Sequence, residues 1–145
     1  MKNLRLPVPF PESLRNRVPG CRYSRRRPAA GATNLVTTGA PATGVNFIAL
    51  DGAEHIIFDG RSGGTGTTIN WTLRNTQNAS TYTPLIQFID DASNNKLQYL
   101  QIESENANTT SGTIVFGTTT GTTGNDNDTI QYCNITDRTD VVNAA

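Results

Sequence analysis

The sequence predicts an all-β fold in which short strands recur along the chain and stack in parallel as a solenoid of two to three coils. Three observations predict it. The segment KLQYLQI (Lys96 to Ile102) is echoed by TIQYCNI (Thr129 to Ile135), with a weaker third copy in HIIFDG (His55 to Gly60). The copies stand 41 residues apart from Ile56 to Leu97 and 33 from Leu97 to Ile130, too far for hairpins and within the range of coil repeats with variable loops. No segment carries the spacing of a long amphipathic helix, and clusters of Gly, Thr, Asn and Asp punctuate the apolar runs.

Length and composition bound this reading. A chain of 145 residues can form one domain that buries about two-thirds of its unfolded surface. Only 35% of the residues are apolar, so the core must be thin. No apolar run approaches the roughly 20 residues that span a bilayer, which argues against a membrane span.

Zero net charge hides a division. Residues 1 to 30 hold eight basic side chains against one acid, Glu12, a net +7, while residues 31 to 145 hold four against eleven, a net −7. Five of the seven prolines also fall in the first thirty residues, which show no periodic apolar pattern. Residues 1–33 are therefore expected to be an irregular basic arm, and residues 34–145 a partial solenoid. The composition break suggests an arm foreign to the fold, from a misplaced start, a frame change or a fragment edge. Clustered arginines can neutralise phosphates, but no aromatic platform or recognition helix accompanies them, which disfavours nucleic acid as a partner. PAAGATN after Arg27 is no apolar signal core, so no signal peptide is visible in this chain.

The strands are read in order. VNFIAL (45 to 50), HIIFD (55 to 59), TTINWTLR (67 to 74) and PLIQFI (84 to 89) come first, followed by KLQYLQIE (96 to 103), GTIVFG (112 to 117) and TIQYCNIT (129 to 136). Each is rich in β-branched or aromatic residues and bounded by turn formers such as RSGGTG (61 to 66) and TTTGTTGNDND (118 to 128). In KLQYLQI the apolar alternation slips between Tyr99 and Leu100, and in TIQYCNI it slips at the same place, between Tyr132 and Cys133. Such a slip predicts a bend that keeps both halves facing one interior. Stacking equivalent residues one strand spacing apart places Phe58, Tyr99 and Tyr132 in one row, with Ile56, Leu97 and Ile130 beside it.

The stretch FIALDGAEHIIFDGRSGGTGTTINWTLRN, followed by PLIQFID, NNKLQYLQI and NDTIQYCNI, resembles the right-handed parallel β-helix repeats of large secreted or cell-surface bacterial proteins, the pectin-lyase-like fold. The resemblance covers about two-thirds of the chain. It implies a longer parent protein, secreted or surface-exposed, of which this chain is a few coils. The function expected on this footing is a non-catalytic structural or adhesive segment, and uncapped coil ends would favour self-association.

The alternative class is a carbohydrate-binding or polysaccharide-degrading β-helix, lyase-like or hydrolase-like, with a polysaccharide or cell-surface glycan as partner. Enzymes of this fold hold Ca²⁺ on clustered acids or pair two carboxylates across a glycosidic bond. The candidates are Asp90 and Asp91, Asp51 and Asp59, and Arg61, with Trp71 or Tyr82 as sugar-stacking platforms. Acids at strand ends more often cap backbone donors in turns, and the paired-Asp, Gly-His-Gly and basic RxK-type elements of the hydrolase signature are reduced to the bare Asp90-Asp91 pair, so no catalytic residue is assigned. His55 in AEHIIFD does not lie between glycines and carries no base or nucleophile beside it.

Asn125, Asp126, Asn127 and Asp128 form the dense oxygen cluster of the chain, with Asp126 and Asp128 the candidates for Ca²⁺. The spacing is neither that of an EF-hand nor that of a calcium-binding β-roll, so a solvated turn is the expectation and no cofactor is assigned. Cys133 falls in the apolar slot of Leu100 and is read as a reduced core residue, with Cys21 in the arm.

Overall fold

The computed structural model describes residues 23–77, 82–105, 111–117 and 121–138. Among them the chain forms eleven short strands and one 3-10 turn at Ser62–Gly64. The strands are β1 (Ser24–Arg26), β2 (Leu35–Gly39), β3 (Ile48–Asp51), β4 (Ile56–Asp59), β5 (Trp71–Asn75), β6 (Ile86–Ile89), β7 (Lys96–Gln98), β8 (Gln101–Ser104), β9 (Ile114–Phe116), β10 (Thr129–Gln131) and β11 (Asn134–Thr136). They fall in strict rotation to three sheets, ordered β1-β4-β7-β10, β2-β5-β8-β11 and β3-β6-β9. Every pairing within them is parallel. Three consecutive strands, one per sheet, make a layer; β10 and β11 begin a fourth.

A parallel partner requires a crossover rather than a hairpin, and here the crossover is the rest of the layer. In the first sheet the chain returns to register after 32 residues (Arg26 to Phe58), 39 (Phe58 to Leu97) and 33 (Leu97 to Ile130). Apolar residues then stack row on row. Leu73 lies on Ile102 and Ile102 on Ile135, Ile48 on Ile86 and Ile86 on Ile114, Leu50 on Phe88 and Phe88 on Phe116. Phe58, Trp71, Leu73, Phe88, Leu97, Leu100 and Ile102 belong to one buried cluster drawn from all three sheets. Each such side chain stabilises the fold by about 1.5–3 kcal/mol relative to leaving it in water.

The two phase slips are sharp corners between the first and second sheets. Only Tyr99 and Leu100 separate β7 from β8, and only Tyr132 and Cys133 separate β10 from β11. Tyr99 and Tyr132 adopt left-handed φ of 52° and 55°, which turn the chain without breaking the inward rows. The start of the first sheet repeats a second left-handed position. His55, Asn94 and Asn127 have φ of 59°, 56° and 58° and each stands two residues before the first residue in β4–β7–β10 register, namely Ile57, Lys96 and Thr129.

Three expectations change. Ser24–Arg26, inside the basic segment expected to be irregular, is a strand that pairs with Ile56–Phe58, so regular structure starts ten residues before Asn34. Leu35–Gly39 is a further strand, hidden in sequence because its LVTTG burial pattern is mostly exposed rather than alternating. The expected row is also shifted by two residues. Phe58 stands on Leu97 and Leu97 on Ile130, whereas Tyr99 and Tyr132 share a different column. The physical reason is that left-handed corner residues point their side chains outward, so the tyrosines take no core slot. Residues 1–22 lie outside the described residues. No helix among the described residues is long and apolar enough to cross a membrane.

Candidate functional site

Polar and aromatic side chains from successive layers meet at the corner where the first sheet meets the second. Asp59 closes β4, and because Arg61 follows two residues later, its guanidinium folds back onto the carboxylate. Arg61 Nε donates to Asp59 Oδ1 at 2.8 Å and Nη2 to Oδ2 at 2.8 Å. The Arg61 backbone N–H adds a third bond to Oδ1 at 3.2 Å. From the next layer Gln98 Nε2 donates to Asp59 Oδ2 at 2.9 Å, and from the layer after that Gln131 Nε2 donates to Gln98 Oε1 at 3.0 Å. The result is a polar ladder that crosses three layers.

An aromatic column runs beside it. The Arg61 guanidinium lies over the Tyr99 ring, 4.5 Å from its centroid, and Tyr99 stacks on Tyr132 at 4.9 Å with the planes 23° apart. Tyr132 is 67% exposed and ends the column. Gly60 allows the layers to meet here: a Cβ at that position would overlap the Tyr99 carbonyl oxygen.

Burial alone would raise the Asp59 carboxyl. The hydrogen bonds from Arg61 and Gln98, with the guanidinium charge, outweigh it and hold the group below the ordinary carboxylate value. Asp59 is fully buried with both oxygens occupied, so it is an ionised strut rather than a group free to exchange a proton with a substrate. The column can do something different at its open end: Tyr99 is covered by Arg61 on one side and Tyr132 on the other, and the exposed Tyr132 ring presents a stacking face to a flat apolar or sugar surface.

The other sequence candidates do not converge on this corner. Asp90 and Asp91 follow β6 in the connection leading into β7, whereas Asp59 ends β4, so they sit beyond opposite ends of the first-sheet strands. Both have left-handed φ, 53° and 63°, and Asp91 Oδ1 accepts the Gly124 N–H at 2.8 Å from the following layer. They shape a turn. Asp51 ends β3 and is exposed.

Trp71 is 2% exposed, and its indole N–H donates to Thr37 Oγ1 at 2.9 Å, so it offers no ring face to a sugar. Tyr82 is half-buried, and its hydroxyl accepts Gln87 Nε2 at 2.7 Å.

Asp128 serves backbone order. Its Oδ1 accepts Asn95 N at 2.8 Å and Asn95 Nδ2 at 3.0 Å, while Asn95 itself accepts Ile56 N at 3.0 Å and donates to the Ala53 carbonyl at 2.9 Å. Burial raises the Asp128 carboxyl against those two bonds, with Asp126 adding like charge, and Oδ2 is buried without a partner. Asp126 is exposed and contributes its backbone carbonyl to Asn94 N at 3.0 Å. Among the described residues no three His, Cys, Asp or Glu side chains group as metal ligands. Cys133 packs partly buried against the core, where burial pushes its thiol pKa up. His55 meets Tyr23 edge-on at 5.0 Å.

Sequence reasoning named Asp59 and Arg61 but missed Gln98, Gln131, Tyr99 and Tyr132 as their neighbours. The signal was present in the repeated Gln-Tyr pair just before each slip: two matching outward residues one layer apart must stack. The chain matches no family model, and comparison with curated proteins and with solved structures gives no match either.

Proposed function

We propose that the three parallel sheets wind as a right-handed, pectin-lyase-like β-helix, and that this chain is a non-catalytic structural or adhesive segment of a secreted or cell-surface bacterial protein. One observation carries the reading: the candidate acids Asp59 and Asp128 are spent on polar side chains of the neighbouring layers. Asp59, Gln98 and Gln131 form one ladder, and Asn95 and Asp128 another. A catalytic β-helix needs acids that converge on a substrate with an oxygen to spare. A depolymerisation screen on acidic polysaccharides, with and without Ca²⁺, tests this. No turnover is expected, and turnover that disappears in Asp90→Ala would defeat it.

The second reading is glycan binding without catalysis, favoured by the exposed ring of Tyr132 stacked on Tyr99 under Arg61. Aromatic platforms hold sugars by their apolar faces. Binding of oligosaccharides, measured by calorimetry, should weaken at least tenfold in Tyr132→Ala. Equal binding by that variant would exclude this corner as the platform.

A further inference from the structure

The two ends of the sheet stack differ in charge, and both leave parallel edges without a strand neighbour among the described residues. At one end the edge strands are β1, β2 and β3; at the other they are β10, β11 and β9. From Tyr23 to Asp51 the first end carries Arg25, Arg26 and Arg27 against Asp51 alone. The far end, from Ser111 to Arg138 as described, carries Asp126, Asp128 and Asp137 against Arg138 alone. The excess of base continues in sequence through residues 1–22, which hold five basic residues and one acid.

Each end also shows apolar side chains to solvent: Leu35, Val36 and Val45 at the basic end, and Phe116, Ile130 and Ile135 at the acidic end. Ile135 is half exposed although its row mates Leu73 and Ile102 are completely buried. Each end further holds one buried polar atom without a partner, the donor Arg26 Nε and the acceptor Asp128 Oδ2.

We infer that the acidic end of one copy takes the basic end of a second copy, head to tail, in an open-ended assembly. Strand direction selects this arrangement. An edge of parallel strands is extended in kind by strands running the same way, and the opposite end of another copy supplies them, whereas two like ends could meet only about a two-fold axis with strands opposed. Opposite charge steers the encounter and penalises like ends, and a heterologous contact that does not close propagates. The inference rests on the three-sheet stack and concerns the 145-residue chain by itself, without the neighbouring coils of a longer parent; it holds whether or not the chain binds glycan, which the calorimetry above scores separately.

The test uses the full chain and two variants at exposed positions, each checked for retained fold by far-ultraviolet circular dichroism. Ile135→Lys blocks the acidic end, and Arg25→Glu with Val36→Glu blocks the basic end. In sedimentation velocity the unaltered chain should show an average mass that climbs with concentration without a plateau, and that falls when salt is raised from about 20 mM to about 500 mM, where exposed charges are screened beyond about 4–5 Å. Each variant alone should sediment as a monomer. Their mixture should give a one-to-one pair that grows no further, because only one free end of each kind remains.

A plateau at twice the monomer mass, or a dimer formed by either variant alone, would overturn the polarity. A full chain that stays monomeric at every concentration would overturn the inference outright. If deletion of residues 1–22 or 139–145 then releases assembly, the occupant of the ends is the chain's own terminus and not a second copy.

Discussion

Tyr99 and Tyr132, one layer apart, stack at 4.9 Å with their planes 23° from parallel, and both hold the chain in a left-handed corner. A single residue type thus serves two ends at this position. Its backbone turns the strand from one sheet to the next, and its ring stacks on the matching ring of the neighbouring layer.

This pairing sets the first prediction. Tyr132→Ala should destabilise the chain by about 0.5–1 kcal/mol and Tyr99→Ala by more, since Tyr99 also lies under Arg61. A double-mutant cycle in urea should return a coupling of about 0.5–1 kcal/mol. Zero coupling would mean that the rings merely coincide.

Gly60→Ala should be the costlier change despite adding one methyl group. The new Cβ meets the Tyr99 carbonyl oxygen, which belongs to the backbone and cannot swing aside. A loss of about 3 kcal/mol is expected from urea midpoints, in the upper part of the range for single substitutions.

Asp59 makes stability depend on pH in a stated direction. Its folded pKa lies below the ordinary carboxylate value, so its contribution is complete above the unfolded pKa of about 3.9 and is lost as pH falls through the lower folded value. Asp59→Asn should lower the melting temperature at neutral pH, and the gap from the unaltered chain should narrow as acid is added. A gap that holds constant down to acid pH would remove the ion pair from the account.

Asp128 should behave in the opposite sense. Burial raises its folded pKa, so the ionised group opposes folding at neutral pH and the opposition fades as pH falls through that raised value. Asp128→Asn keeps the acceptor used by Asn95 and removes a buried charge whose second oxygen has no partner. Asn95 already serves the preceding layer in this way. The variant should lose less stability than the unaltered chain as pH rises from acid to neutral, and the two should respond alike once the pH drops below the ordinary carboxylate range. Thermal melts across pH measure both halves.

Much of the fold was legible because parallel stacking copies a local pattern at long range. The Leu97–Ile130 match and the two corners follow from the repeated Gln-Tyr slip alone. The register of Phe58 was not legible, since its layer has Gly60 and the Arg61 excursion where the later layers have a tyrosine corner; the two-residue offset arises there. β1 and β2 escaped notice for another reason. As edge strands they need no alternating apolar face, and Ser24–Arg26 spells charge. The corner ladder was half visible, since Asp59 and Arg61 are close in sequence while Gln98 and Gln131 reach them only through layer spacing.

The connection from the first sheet to the second occupies residues 60–70 after β4 but only residues 99–100 after β7. The pairing of β5 with β8 is nevertheless in register over four residues, Thr72 to Asn75. A corner that swallows nine extra residues without moving the strands on either side is a ready insertion point, so foreign peptides spliced between Ser62 and Asn70 should be displayed on the flank while the scaffold beneath them keeps its melting behaviour.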